Sequence, residues 1–167
     1  MRLRRRGPVL AVAPGEKLLA SIEVEGGVVG GTRDACYLGI GAADAEPVRI
    51  PWEQVEAADW DRDTTTLRIS EVGTWGVPRP VHELVVPEPG TFLQLVRERV
   101  TASVVLQRHV PIEGSRGVRV IARRAPRGDQ PVQWVYEFDE GVDPSLVVVQ
   151  EAAEAALRAA QEELGLG

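Results

Sequence analysis

A chain of 167 residues with 44% apolar side chains is long enough for one compact domain, or one domain with a small appendage, around a real hydrophobic core. Its 26% charged content, 12 prolines and 17 glycines, with no apolar run approaching the ~18 residues of a membrane span, argue against a coiled coil, a disordered tail, a collagen-like chain or a transmembrane helix. The net charge of −6 argues against general nucleic-acid binding, which depends on a basic surface that neutralises phosphates.

At the start of the chain Arg2, Arg4, Arg5 and Arg6 imitate the basic end of a secretion signal, but the apolar stretch 9–13 is too short to complete one. The single cysteine, Cys36, cannot close an intramolecular disulfide, so the expected location is the cytoplasm. Up to residue 88 short apolar runs alternate with turn residues, the spacing of an antiparallel sandwich or small barrel. Seven strands are predicted, at 17–24, 28–32, 35–40, 48–52, 55–60, 66–72 and 81–86. Gly26-Gly27 marks the first turn and Arg33-Asp34 a tighter second one. Thr66, Arg68 and Ser70 alternate with Leu67, Ile69 and Glu71, which gives the sixth strand one wet face.

Beyond Pro87 and Pro89 the hydrophobic period changes from two to about 3.6. Phe92, Leu95, Val96, Arg99, Val100, Val104 and Leu106 make most of a helical stripe, opened by Gly90-Thr91 with Thr91 as N-cap and stopped by Pro111. The helix is expected over one open end of the barrel. A second strand pair, 118–124 and 132–138, follows, joined by a turn at 125–129. Val132, Trp134, Tyr136 and Phe138 share one face, which an isolated hairpin cannot hide from water. Asp143-Pro144-Ser145 starts a final helix, in which Val149, Ala153, Ala156, Leu157, Ala160 and Leu164 recur at helical spacing. The expected organisation is a barrel with its capping helix at 10–110, and a hairpin-plus-helix extension at 111–167. The extension is too small for its own core and is expected to pack on the barrel or on another copy.

The order of seven short antiparallel strands and one amphipathic helix resembles the pleckstrin-homology-like (PH-like) fold, a mainly β architecture of the α+β kind. Glu16-Lys17-Leu18-Leu19-Ala20, Thr32-Arg33-Asp34-Ala35-Cys36-Tyr37-Leu38, Ile50-Pro51-Trp52-Glu53-Gln54-Val55 and Ala58-Asp59-Trp60-Asp61 look like successive segments of its bacterial members. Together with 95–108 they are similar to an uncharacterised family from high-GC bacteria, and the resemblance implies a fold and no activity. Members that bind phosphoinositides grip the phosphates with a basic loop between the first two strands. Here that loop is Glu23-Val24-Glu25-Gly26-Gly27, whose carboxylates repel phosphate, so phosphoinositide binding is not carried over.

Arg116, Arg119, Arg123, Arg124 and Arg127 form the densest positive charge in the chain. Strand alternation puts Arg119 and Arg123 on one face with Ile121, and Arg124 on the other. They are read as a contact for an anion, a nucleic acid or an acidic protein, or else as a charged strand edge that blocks sheet-to-sheet association. From Glu137 to Glu163 acidic residues dominate, so the basic and acidic halves can pair within one chain or between subunits, with Trp134, Tyr136 and Phe138 sealing the contact. Trp75 sits in the Gly/Pro-rich segment 73–80, either as an exposed anchor for a partner or as a lid on the barrel, whereas Trp52 and Trp60 are expected in or beside the core.

The remaining motifs are incomplete. Asp59, Asp61 and Asp63 have alternate spacing but lack the glycine of a calcium loop, so a turn between strands is expected. Gly39-Ile40-Gly41 starts like a dinucleotide fingerprint, but Asp44 replaces its third glycine and Pro47 blocks the helix. Cys36, in an apolar strand, reads as a buried filler, and with His82 and His109 it falls short of a zinc set or a nucleophile-base pair. His109 is expected just after the helix, favouring its C-terminus.

No catalytic residue, cofactor or metal is therefore assigned. The expected function is a non-enzymatic intracellular interaction or assembly module, with an unknown protein partner or a second copy. Its candidate contacts are Trp75, Arg119, Arg123, Arg124, Arg127 and Trp134. The alternative is an anionic membrane surface or nucleic acid bound through the N-terminal arginines and the 116–127 run. An enzyme without a recognisable motif ranks third.

Overall fold

The computed structural model describes residues 10–41, 45–73 and 78–165. Among the described residues ten strands form three antiparallel sheets, accompanied by two α-helices, so the mainly β class holds. The chain divides into two units, one reaching Ala102 and including Ala125–Arg127, the other made of Ser103–Arg124 and the residues from Gly128 onward.

In the first unit, β1 (Ala20–Val24), β2 (Gly27–Gly31), β3 (Ala35–Ile40) and β4 (Val48–Pro51) form a four-stranded sheet in chain order. A single 3-10 turn at Trp52–Gln54 leads to a three-stranded sheet of β5 (Val55–Asp61), β6 (Thr66–Glu71) and β7 (Val81–Val85). All seven predicted strands are present, yet they do not close into one barrel. Among the described residues no ladder joins β4 to β5, and the β1–β2 turn reaches β7 through one backbone bond, from Glu25 N–H to the Val85 carbonyl.

Both sheets contribute to one core. Val29, Cys36, Leu38, Ile50, Trp52, Val55, Leu67, Ile69, Leu84 and Val86 meet there with Phe92, Leu93 and Val96 of α1 (Gly90–Ser103). The opposite face of β2 and β3 is also dry. Leu10, Val28, Ala35 and Tyr37 bury each other there, with Val12 and Leu18 packed against them. Burial on both faces explains why these strands read as continuous apolar runs rather than alternating ones.

The predicted capping helix is shorter than its stripe. It starts at Gly90, one residue before the predicted cap Thr91, and stops at Ser103, and β8 (Val104–Glu113) takes over. Val104, Leu106, Val110 and Ile112 are half-buried while the residues between them are exposed, so the period from 104 is two. The β-branched Val104-Val105 pair favours the extended state. Pro111 is tolerated because β8 is an edge strand and the ladder slips between Pro111 and Glu113.

The second unit is accordingly more than a hairpin. β8, β9 (Arg116–Arg123) and β10 (Gln133–Phe138) form a sheet in the order β10-β9-β8, and α2 (Val147–Glu163) packs on it. Leu106, Val118, Val120, Trp134, Tyr136 and Phe138 meet Ala153, Ala156, Leu157 and Ala160 of the helix, so this unit has a buried cluster of its own. Residues 104–110, which the helical reading gave to the capping helix, supply most of the third strand. α2 also starts later than predicted. Asp143 instead caps a turn, accepting bonds from the Ser145 amide at 2.9 Å and hydroxyl at 2.6 Å.

Candidate functional site

The arginine run is dispersed by the fold. β9 is the middle strand of its sheet, which removes the reading of these arginines as guards of an exposed edge. Arg119 stands in register between His109 of β8 and Glu137 of β10, and its guanidinium lies 3.8 Å from the Glu137 carboxylate. Arg123 is buried and donates to the Ser103 hydroxyl at 3.2 Å. Arg124 is half-buried, its amide bonded to the Ser103 carbonyl. Arg127 makes a two-pronged pair with Asp34 at 2.5 and 2.8 Å. The guanidinium groups of Arg119, Arg123 and Arg127 are thus each engaged by a group of this chain. Arg108, outside the run, pairs with Glu163 near the end of α2.

Trp134, the other described contact candidate, is half-buried against the α2 cluster of its own unit. Trp75 and the N-terminal arginines lie outside the described residues. Trp52 is fully buried and donates to the Thr32 carbonyl at 2.9 Å, and Trp60 donates to the Val86 carbonyl at 3.0 Å, as expected for core-associated indoles.

The two histidines pair separately. His82 Nε2 is 2.8 Å from Glu71 in the first unit. His109, expected at a helix end, is instead in the middle of β8, 2.7 Å from Asp139, which also accepts the Gly117 amide at 2.8 Å. Those bonds, led by the one from His109, hold the Asp139 carboxyl below its ordinary range. Among the described residues no three His, Cys, Asp or Glu side chains gather as a metal set. Asp61 instead organises the β5–β6 turn, accepting the Asp63 amide at 2.8 Å and the Thr64 amide at 3.2 Å. Burial pushes the Cys36 thiol up to about 12, which makes it an inert filler.

Two features escaped the sequence reading. The first is a polar hub on the four-stranded sheet. The Glu16 carboxylate accepts from the Thr32 hydroxyl at 2.6 Å, the Tyr37 hydroxyl at 2.7 Å and Arg49 Nε at 3.1 Å. Burial pushes this carboxyl up, but the three hydrogen bonds and the Arg49 charge outweigh it, and the net pKa is lowered. The second is an exposed aliphatic turn opening α2, at Leu146, Val147 and Val148. Its signal was legible in the four-residue apolar run ending at Val149, of which one helical face can bury only part.

Compared with protein-family models, curated proteins and solved structures, the chain matches none. Among the described residues no helix is long and apolar enough to cross a membrane.

Proposed function

We propose that the chain is a non-enzymatic intracellular interaction module that engages a protein partner through the aliphatic turn opening α2. One observation carries this reading: three consecutive side chains, Leu146, Val147 and Val148, are 44, 66 and 61% exposed. Burying a Leu or Val fully is worth roughly 1.5–3 kcal/mol, so a partner that covers all three gains the energy of a small hot spot. Glu140, Asp143, Glu151 and Glu154 are exposed around this turn in sequence, and such an acidic frame favours a partner with a basic rim.

For the first unit the reading is PH-like. Its support is the order of four antiparallel strands, three antiparallel strands and a helix whose Phe92 and Val96 enter the shared core. That fold hosts several kinds of partner, so the surface chemistry, not the fold, carries the functional reading.

The test is affinity capture from native lysate with wild type and Val147→Asp/Val148→Asp as paired baits, each supplied with an untagged copy of the chain. A defined protein, or the untagged copy itself, is expected on wild type and reduced at least about tenfold on the variant. Equal retention on both baits, or retention of nothing by wild type, overturns the reading.

A further inference from the structure

The segment from Leu10 to Leu18 lies on the face of β2 and β3 opposite the main core, and no residue in it belongs to a strand. Its backbone therefore takes no ladder bonds from the sheet. Ala13 donates its amide to the Tyr37 hydroxyl at 3.0 Å, and Glu16 closes a local turn onto the Ala13 carbonyl. What holds the segment is its side chains, at two points.

The first point is steric. Gly30 and Gly39 lack the side chains that would fill this face, and Leu10 occupies the space: a Cβ built on either glycine would stand 2.8–2.9 Å from its methyl groups. The second is the Glu16 hub. The Glu16 side chain is only 7% exposed, and Thr32, Tyr37 and Arg49 all donate to it from the sheet side. A charge desolvated to this degree is tolerable because it is paired and bonded, and uncovering its partners is costly while it stays ionised.

We propose that residues 10–18 form a latched strap, which opens independently of the sheet, is held shut by the Glu16 carboxylate, and on release uncovers the apolar face of Val28, Ala35 and Tyr37. A segment with few backbone bonds to its support belongs to the low-stability end of a fold and opens by local unfolding. The charged and titratable groups that face Glu16 are Arg49 of β4 and Tyr37 of β3. Because the folded pKa of Glu16 is lowered, the hold is complete above the ordinary glutamate range and is lost as pH falls through the folded value.

Lys17 is the single lysine of the chain and lies exposed inside the strap, so a lysine-specific endoproteinase reports strap opening as one cut. The experiment measures cleavage after Lys17 at neutral pH in the full chain for wild type, Glu16→Gln and Leu10→Ala. Rates are normalised to synthetic peptides of residues 10–22 carrying the same substitutions, and global unfolding is followed in parallel by tryptophan fluorescence in urea. Both variants are expected to be cut roughly tenfold faster or more than wild type, the factor that loss of one hydrogen-bonded charge or of one buried leucine side chain carries, and in each the cleavage rate is expected to rise with urea far less steeply than global unfolding does. Normalised rates equal to wild type in both variants overturn the proposal. So does cleavage that follows global unfolding in its urea dependence, because the strap then opens only with the sheet.

Discussion

The two units of this protein build their interiors from different materials. In the first, two sheets and a helix enclose large side chains, with Trp52, Phe92, Leu67 and Ile69 fully buried. In the second, one sheet meets one helix, and the buried part of the contact is valine against alanine: Val118 and Val120 facing Ala153, Ala156 and Ala160. Its aromatic residues, Trp134, Tyr136 and Phe138, stay half-buried around that seam. A sheet with core on both faces can surround a ring, whereas a two-layer contact leaves its flanks to water and fills its centre with small side chains that let helix and sheet approach.

The largest effect is expected in the first unit. Phe92→Ala empties a fully buried site among neighbours supplied by two sheets and is expected to cost about 3–5 kcal/mol. Urea unfolding measures the loss, and amide exchange should accelerate foremost in β1–β7. A loss below about 1 kcal/mol would mean that the site collapses freely and the first core is no more rigid than the second.

Overpacking is the sharper probe of the second unit. Ala156→Leu adds three carbons where the helix lies against the sheet and is expected to destabilise by about 1–3 kcal/mol, read by the same unfolding curves. A neutral result would show that small side chains there leave space rather than set the helix-to-sheet distance.

The smallest effect compares two hairpin turns. The β5–β6 turn holds Thr65 at φ +54°, and the β8–β9 turn holds Gly114 at φ +60°. A Cβ on Gly114 would meet nothing within 4 Å, so only the left-handed backbone separates the two sites. Thr65→Gly is expected to stabilise by about 1 kcal/mol and Gly114→Thr to destabilise by a similar amount, both read as shifts in the thermal midpoint. If Thr65→Gly instead destabilises, the threonine side chain is worth more than its strained backbone.

Much of this was legible in residues alone. The seven strands of the first unit, the core indoles Trp52 and Trp60, the inert Cys36 and the aspartate turn at Asp61 all follow from local patterns. The stretch from Val104 was not, because Val100, Val104 and Leu106 suit a helical stripe as well as Val104, Leu106 and Val110 suit a strand. The partners of the arginine run were not legible for a related reason. Sequence shows which charges are neighbours along β9, but not that Glu137 lies across from Arg119 or that Asp34 reaches Arg127.

By itself, then, the sequence determined the mainly β class, most strand positions and the small-residue face of α2, since each depends on periodicities of a few residues. The tertiary structure decided that the sheets stay unclosed, that β9 is central, and that Glu16 is surrounded by donors from β3, β4 and Thr32. Those outcomes depend on which residues distant along the chain become neighbours. That choice belongs to the packing of the whole unit, and no local pattern encodes it.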